Sequence, residues 1–528
     1  MTTAITIGMI IIYVAIMMGI GVYTARQTRS VSDFVLGSHS VGSWLTAFAY
    51  GTSYFSAVVF IGYAGQFGWT YGVSAAWVGV GNALLGSLLA WIVLGRRTRI
   101  MTQSLGAKTM PEYFEKRWNS KGLKIAAALI VFVFLIPYTA SVYNGLSRLF
   151  NMAFQIESEG AYKIIIIVMA LLTAIYVILG GYAATAINDF IQGIVMLIGI
   201  AAVVICAIQN QGGLTSALAA LGEIEVNGKT NTLNSVFGPD PLNLLGVVIL
   251  TSLGTWGLPQ MIHKFYAIKS ENDIKKGAVI STVFALIVAG GSYLLGGFDR
   301  LFCTLTEDGS GKTVISTLSN GKPDFDAMIP SLLHTALPDI LIGLVVVLVL
   351  SASMSTLSSL VLTSSSTLTI DLIKPNLKKC SDKKEMLIMR VLIAVFLVIS
   401  VLLAFNKNAS ISTLMSYSWG ALAGAFLGPF MYGLFSRKIT KPAVWTSFIL
   451  GIGLTLVHMF LFGFGWNPEL SKAAASLPLN LASPINAGAI AMLLSLIMVP
   501  VVSALTKVKD PKHVEQVFTC YVAPEKKD

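Results

Sequence analysis

Runs of about 20 consecutive apolar residues recur along the whole chain, and nothing else in the sequence restricts its fold as strongly. A helix rising 1.5 Å per residue needs a run of about this length to cross the hydrocarbon of a bilayer. In lipid the backbone must pair its own N–H and C=O groups within the segment, so each run is expected to be helical. Composition agrees: 55% of the 528 residues are hydrophobic, 12% are charged, and the mean hydropathy is +0.76. That balance excludes a water-facing globular fold. The expected class is an all-α polytopic membrane protein with about thirteen transmembrane helices. Their expected positions are near 4–25, 43–68, 73–95, 122–150, 162–180, 183–208, 243–266, 276–299, 337–370, 387–405, 411–435, 442–463 and 484–505.

An odd number of spans puts the termini on opposite sides, and the basic residues choose between the two arrangements. Cytoplasmic loops collect Lys and Arg. With the N-terminus outside and the C-terminus cytoplasmic, the inner segments hold Arg26 and Arg29, the cluster from Arg96 to Lys124, and Lys264, Lys269, Lys275 and Lys276. They also hold Lys374 to Arg390, Arg437, Lys438, Lys441 and the tail residues from Lys507 to Lys527. The net charge of +11 is therefore a signature of orientation in a cell membrane and not of a nucleic-acid partner.

Features suggesting other chemistries are weak. Cys206, Cys303, Cys380 and Cys520 are scattered and lack metal-ligand spacing. His263, His334 and His458 have no paired ligands in the sequence. The N-terminal run lacks a preceding basic residue and is too long for a cleaved leader, so it reads as a retained helix. Two long loops, about 209–242 and 300–336, read as surface loops on the outer side. Gly309-Ser310-Gly311-Lys312-Thr313 lacks the earlier glycine of a phosphate-binding loop. Asn408-Ala409-Ser410 fits a glycosylation sequon, a short pattern of little weight. No cofactor and no catalytic residues are expected.

Polar groups that persist inside a membrane usually face a cavity or an ion path. Three places stand out. In the second helix, Gly51 and the hydroxyl residues Thr52, Ser53 and Ser56 interrupt an apolar span. In the seventh, Gly254, Gly257 and Pro259 weaken the backbone ladder near Thr255, Trp256 and Gln260. Interrupted helices at corresponding places of two halves point to a transporter's binding site, although small residues also serve plain helix packing. The third place is Ser351 to Thr369, where twelve of nineteen residues are Ser or Thr. Ala352, Ser355, Thr356 and Ser359 share one helical face there, with Ser358 beside them. Hydroxyls and carbonyls suit a hard cation such as sodium, whereas isolated serines usually bond back to a carbonyl one turn away. Asp189, near the start of the sixth helix, is either a helix N-terminal acid favoured by the dipole or, if buried, a cation ligand.

Phe48 to Gly65, Gly180 to Gly193, Gly257 to Phe265 and above all Met354 to Asp371 resemble the sodium:solute symporter family, over nearly the whole chain. The stretch Asn188 to Gly199 is similar to the pantothenate branch; proline permeases and, more distantly, sodium/glucose transporters belong to the same family. The resemblance implies a leucine-transporter-type 5+5 inverted repeat. The extra N-terminal helix would be 4–25, the first repeat 43–208, the second 243–435, the two C-terminal helices 442–505 and the tail 506–528. It also implies a sodium site formed by carbonyls of Thr52, Phe55 and Ala352 with hydroxyls of Ser355 and Thr356. In some members a second sodium is held by residues matching Asp189, Ser355, Ser358 and Ser359.

The same resemblance implies a solute pocket that includes Ser56 and Tyr138. The aromatic residues of a proline cage correspond here to Thr251 and Thr255, so that cage is incomplete. Thr251, Thr255, Trp256 and Gln260 would give a more polar pocket, suited to a small carboxylate, an amino acid or a pantothenate-like vitamin. The expected function is sodium-coupled import of such a solute by alternating access, by a monomer or weak oligomer in the lipid bilayer. A transporter-fold sensor, or a symporter for a sugar or another neutral solute, is the alternative.

Overall fold

The computed structural model describes all residues except 1, 27–29, 38–40, 156–157, 308, 310, 319–320, 322, 378–380, 406–409 and 523–528. Cys380, Ser310, Arg29, most of the sequon at 408–410 and the last tail lysines lie outside the described residues. The helices used below are α1 (Thr2–Ala25), α2 (Ser43–Tyr54), α3 (Lys121–Phe154), α4 (Glu159–Asn210), α5 (Pro241–Gly257) and α6 (Pro259–Ala267). They continue with α7 (Glu271–Gly296), α8 (Asp339–Thr367), α9 (Asp382–Ala404), α10 (Ile411–Phe435), α11 (Lys441–His458) and α12 (Pro484–Leu505). Between α2 and α3 the chain runs through Val58–Leu105 as joined α- and π-helical turns.

Among the described residues, nine helical runs are long and apolar enough to span a membrane, and α5 with α6 makes a tenth, bent by 45°. Two of these runs each cover two of the expected spans. In α4 the division expected between residues 180 and 183 is a kink at Gly181, where φ is 55° and ψ is −145°. That backbone region suits glycine, and a Cβ there would lie 2.6 Å from the carbonyl oxygen of Phe34.

The bundle has a polar centre and an apolar rim. Ile11, Ile12, Ile164, Leu171, Val398, Leu402 and Ile497 are exposed on its outside, where lipid replaces water. The helix α10, rich in Ser, Gly and aromatic residues, is instead wrapped by α3, α5, α11 and α12. The Ser/Thr-rich α8 packs on α1, α3, α4 and α9 and touches α2 and α6. Contacts between loops join segments that the basic-residue bias places on one side: Arg300 donates to the Trp69 carbonyl at one end, and Arg99 to those of Ile268 and Lys269 at the other.

The long loops are partly structured. Leu214–Glu223 and Met328–Ala336 are helical, and Cys303–Thr304 pairs in parallel with Thr313–Val314. The Gly309–Thr313 stretch thus runs into a strand and presents no helix N-terminus to a phosphate.

One assignment needs correction. Lys264, counted above with the inner loops, sits on α6 with 2% of its surface exposed. The bend at Leu258 turns this short helix into the bundle, and the loop begins only at Ile268.

Candidate functional site

The site begins where α2 ends. Phe55 is extended, with φ −83° and ψ 121°, and the chain resumes as a π-helix at Val58. Ser56 eases the restart, its hydroxyl oxygen accepting from the Val58 amide at 3.2 Å. An interrupted helix leaves its last carbonyls without intrahelical donors. The matching break at Leu258, φ −79° and ψ 122°, separates α5 from α6, with Pro259 opening the new helix.

The hydroxyls of α8 face the carbonyls at the end of α2. Ser355 Oγ lies 3.0 Å from the Thr52 oxygen and 2.9 Å from that of Ala352. Thr356 Oγ1 lies 3.3 Å from Thr52 O, 3.5 Å from Ser53 O, 3.3 Å from Phe55 O and 3.1 Å from Ala352 O. A hydroxyl has one proton to give. These two hydroxyls therefore satisfy two of the six contacts, and in the rest lone pairs face lone pairs inside a buried site. Such a cluster of partial negative charge calls for a cation. Neighbouring ligands of an octahedral cation held at about 2.4 Å stand about 3.4 Å apart, close to the separations found here. The structure thus brings Thr52, Phe55, Ala352, Ser355 and Thr356 together, and adds the Ser53 carbonyl, which sequence reasoning missed.

The rest of the stripe behaves otherwise. Ser358 donates to the Ser355 carbonyl at 2.8 Å, and Ser365, Ser366 and Thr369 also bond back within their own helix. Ser359 reaches out, its Oγ 2.8 Å from Ser53 Oγ.

Asp189 is fully buried, eight residues beyond the Gly181 kink. Its Oδ2 stands 3.5 Å from the Lys264 ammonium, which also donates to Ser359 Oγ at 3.0 Å and lies 5.3 Å from the Tyr182 ring centre. Of the residues expected at a second sodium site, Asp189 and Ser359 therefore meet across Lys264. Ser355 faces α2 and Ser358 turns back on α8.

The expected solute residues divide into two groups. Thr251 donates back to the Val247 carbonyl of its own helix, while Thr255 donates to the Gly86 carbonyl and the Trp256 indole to that of Leu85, which ties α5 to the neighbouring helix. Tyr138 and Gln260 are buried; among the described residues both amide atoms of Gln260 lack a hydrogen-bond partner, and the Tyr138 hydroxyl has Ser56 and Trp419 as its polar neighbours. Trp419 on α10, not anticipated from sequence, stacks edge-on against Tyr138 at 5.8 Å and leans on Tyr54 at 5.8 Å. Its signal was a pair of large aromatics, Tyr417 and Trp419, among Ser416, Ser418 and Gly420. Gly254 makes room for it, since a Cβ there would lie 2.6 Å from the Trp419 ring.

Polar clusters close the two ends. At one, Arg148 on α3 pairs with Asp324 at 2.5 Å and lies 3.7 Å from Asp326, which accepts from the Ile411 amide at the start of α10. Burial pushes the Asp326 carboxyl up, and the Arg148 charge pulls it back. Beside this end a cleft of about 700 Å³ is lined by Gln66, Thr70, Asp240, Asn243, Asn480 and Asn486. At the other end, Thr109 donates to Asp371 at 2.7 Å, and Lys124 bridges Glu115 at 2.7 Å and Asp371 at 4.0 Å.

Comparison with known proteins follows the same lines. The sodium:solute symporter family profile matches residues 34–451. Sodium/proline symporters of Staphylococcus aureus strains JH9 and Mu3 are 30% identical over 459 residues, covering 85% of this chain and 85% of theirs. A sodium-coupled sialic acid symporter in a substrate-bound outward-open state shares the fold with a TM-score of 0.70 at 17% identity, covering 96% of this chain and 98% of its own. A nucleobase-cation-symport-1 transporter in a closed conformation gives 0.52 at 13% identity, over 92% and 98%. These are leucine-transporter-fold carriers. The chain is a multi-pass membrane protein that belongs to the sodium:solute symporter family, whose members couple sodium to the transport of a small organic solute.

Proposed function

We propose that this protein imports a small zwitterion or carboxylate together with sodium by alternating access, and that the ion rides on the oxygens of Thr52, Phe55, Ala352, Ser355 and Thr356. The observation that carries this reading is the excess of acceptors over protons where α8 meets the broken end of α2. Sodium there ties α2 to α8, so binding favours the arrangement in which the broken helices are ordered and solute binds more tightly. Each inward charge gains about 2.3 kcal/mol per 100 mV of membrane potential, enough for a solute gradient of about fiftyfold at 1.4 kcal/mol per decade.

The solute chamber is the group around Tyr138, Trp419, Tyr54 and Gln260, with Ser56 at its floor. The Tyr138 hydroxyl, the Trp419 indole N–H and the Gln260 amide are donors for a carboxylate. The two aromatic rings suit an apolar body, and the α6 N-terminus adds a favourable dipole. Thr255 and Trp256 support this chamber by fixing α5 against Leu85 and Gly86, while Thr251 bonds back within α5. With the N-terminus outside and the C-terminus cytoplasmic, the Arg148 cluster is the outer closure and the Lys124 cluster the inner one. The repeats are 43–208 and 243–435, the working unit is a monomer or weak oligomer, and the protein performs transport, not catalysis.

The test is uptake by proteoliposomes under an inward sodium or potassium gradient. The solutes are proline, other amino acids, short monocarboxylates, pantothenate and a sugar; the relatives' activity puts proline first. Accumulation of one of the acids with sodium only is expected. A solute taken up equally in potassium refutes sodium coupling.

A further inference from the structure

The buried pair of Asp189 and Lys264 has no part in the sodium site just described, and its surroundings are those of a second cation site. Two oxygens meet at one point, one from the Asp189 carboxylate and Ser359 Oγ, and Ser53 Oγ backs the latter at 2.8 Å. Tyr182 presents its ring face to the same point. An acid buried alone at this depth would carry a large desolvation cost, so the cluster needs a positive charge. The chain supplies one. Lys264 reaches it from α6, with its ammonium 3.5 Å from Asp189 Oδ2 and 3.0 Å from Ser359 Oγ, and none of the three residues is more than 4% exposed.

We infer that the Lys264 ammonium is a tethered cation that permanently fills this second site, so that the protein carries one sodium ion per cycle, and that removing Lys264 opens the site to a second sodium. A further link follows from position. Ser53 lies beside Thr52 at the end of α2, and Ser359 one turn from Ser355 on α8, so the tethered charge holds together the same two helices that the transported sodium joins. Lys264 provides part of that closure without drawing on the sodium gradient, at the cost of a smaller driving force per solute.

The inference rests on the sodium-site reading, and the experiment separates the two. Purified full-length protein is titrated with ²²Na⁺ in alkaline buffer, and bound ions are counted per chain for the wild type, Lys264→Met and the double variant Lys264→Met/Asp189→Asn. The expected counts are one, two and one. Methionine keeps the apolar stem of lysine and removes the charge. A wild-type count of two overturns the inference, and so does a count of one in Lys264→Met that elutes as a single symmetric species. A wild-type count of zero refutes the sodium site itself. If Lys264→Met does not fold, the wild-type count still decides.

Discussion

Replacing Thr356 with valine keeps the β-branched shape and volume of the side chain and removes the one oxygen that touches four carbonyls. Without sodium the hydroxyl can satisfy only one of those carbonyls, a net contribution of about 1 kcal/mol. With sodium it is a ligand to a charge, and such contacts contribute about 1.5–3 kcal/mol. The variant should therefore fold with nearly unchanged thermal stability in potassium and bind sodium roughly 10- to 150-fold more weakly, taking 1.4 kcal/mol per decade. Equilibrium binding of ²²Na⁺ reads the second quantity, and the melting temperature in potassium chloride the first. If Thr356→Val binds sodium within about twofold of wild type, a difference worth less than 0.5 kcal/mol, Thr356 is not a ligand and the acceptor excess has another meaning.

Other consequences concern the closures and the packing. Asp299, outside the spanning helices, is fully buried with neither carboxylate oxygen partnered among the described residues, and burial holds its pKa well above the usual range. A raised acid favours the fold while it is neutral, so its contribution is complete below about pH 4, the unfolded value. It is lost as pH rises through the folded pKa. Asp299→Asn should melt higher than wild type in alkaline buffer, with the gap closing toward pH 4; parallel curves would contradict this. Gly296→Ala should lower the melting temperature, because its Cβ would lie 2.0 Å from the Ala64 carbonyl oxygen and backbone cannot yield, for a cost of about 1–3 kcal/mol. An unchanged melting temperature would show that α7 does not pack this closely. Arg148→Gln unpairs Asp324 and Asp326 and should make a cysteine placed at Ser56 more accessible to a membrane-impermeant thiol reagent added outside. Equal labelling of the two backgrounds would deny the outer-closure role.

The spans were legible because a bilayer fixes the length of each apolar run, and the two helix breaks because Gly, Ser and Pro interrupt those runs where the structure bends, at Phe55 and Leu258. The face carrying Ala352, Ser355 and Thr356 followed from helical periodicity alone. Three things did not. The depth of Asp189 depends on the Gly181 kink, which decides how far α4 reaches before the acid. Lys264 read as a loop cation because it precedes Lys269, Lys275 and Lys276, while its partner lies 75 residues away in sequence. The solute residues depend on how α5 is rotated about its axis. Thr251 bonds back within α5 and Thr255 turns toward Gly86 of the neighbouring helix, and Trp419 reaches Tyr138 from α10.

The central claim, that sodium sits between the broken end of α2 and the hydroxyl face of α8, is tested most directly by ²²Na⁺ binding to purified wild type beside Ser355→Ala/Thr356→Val. Saturable binding by the wild type and its loss in a double variant that remains folded is the predicted result. Binding of equal affinity in the two proteins would contradict the claim.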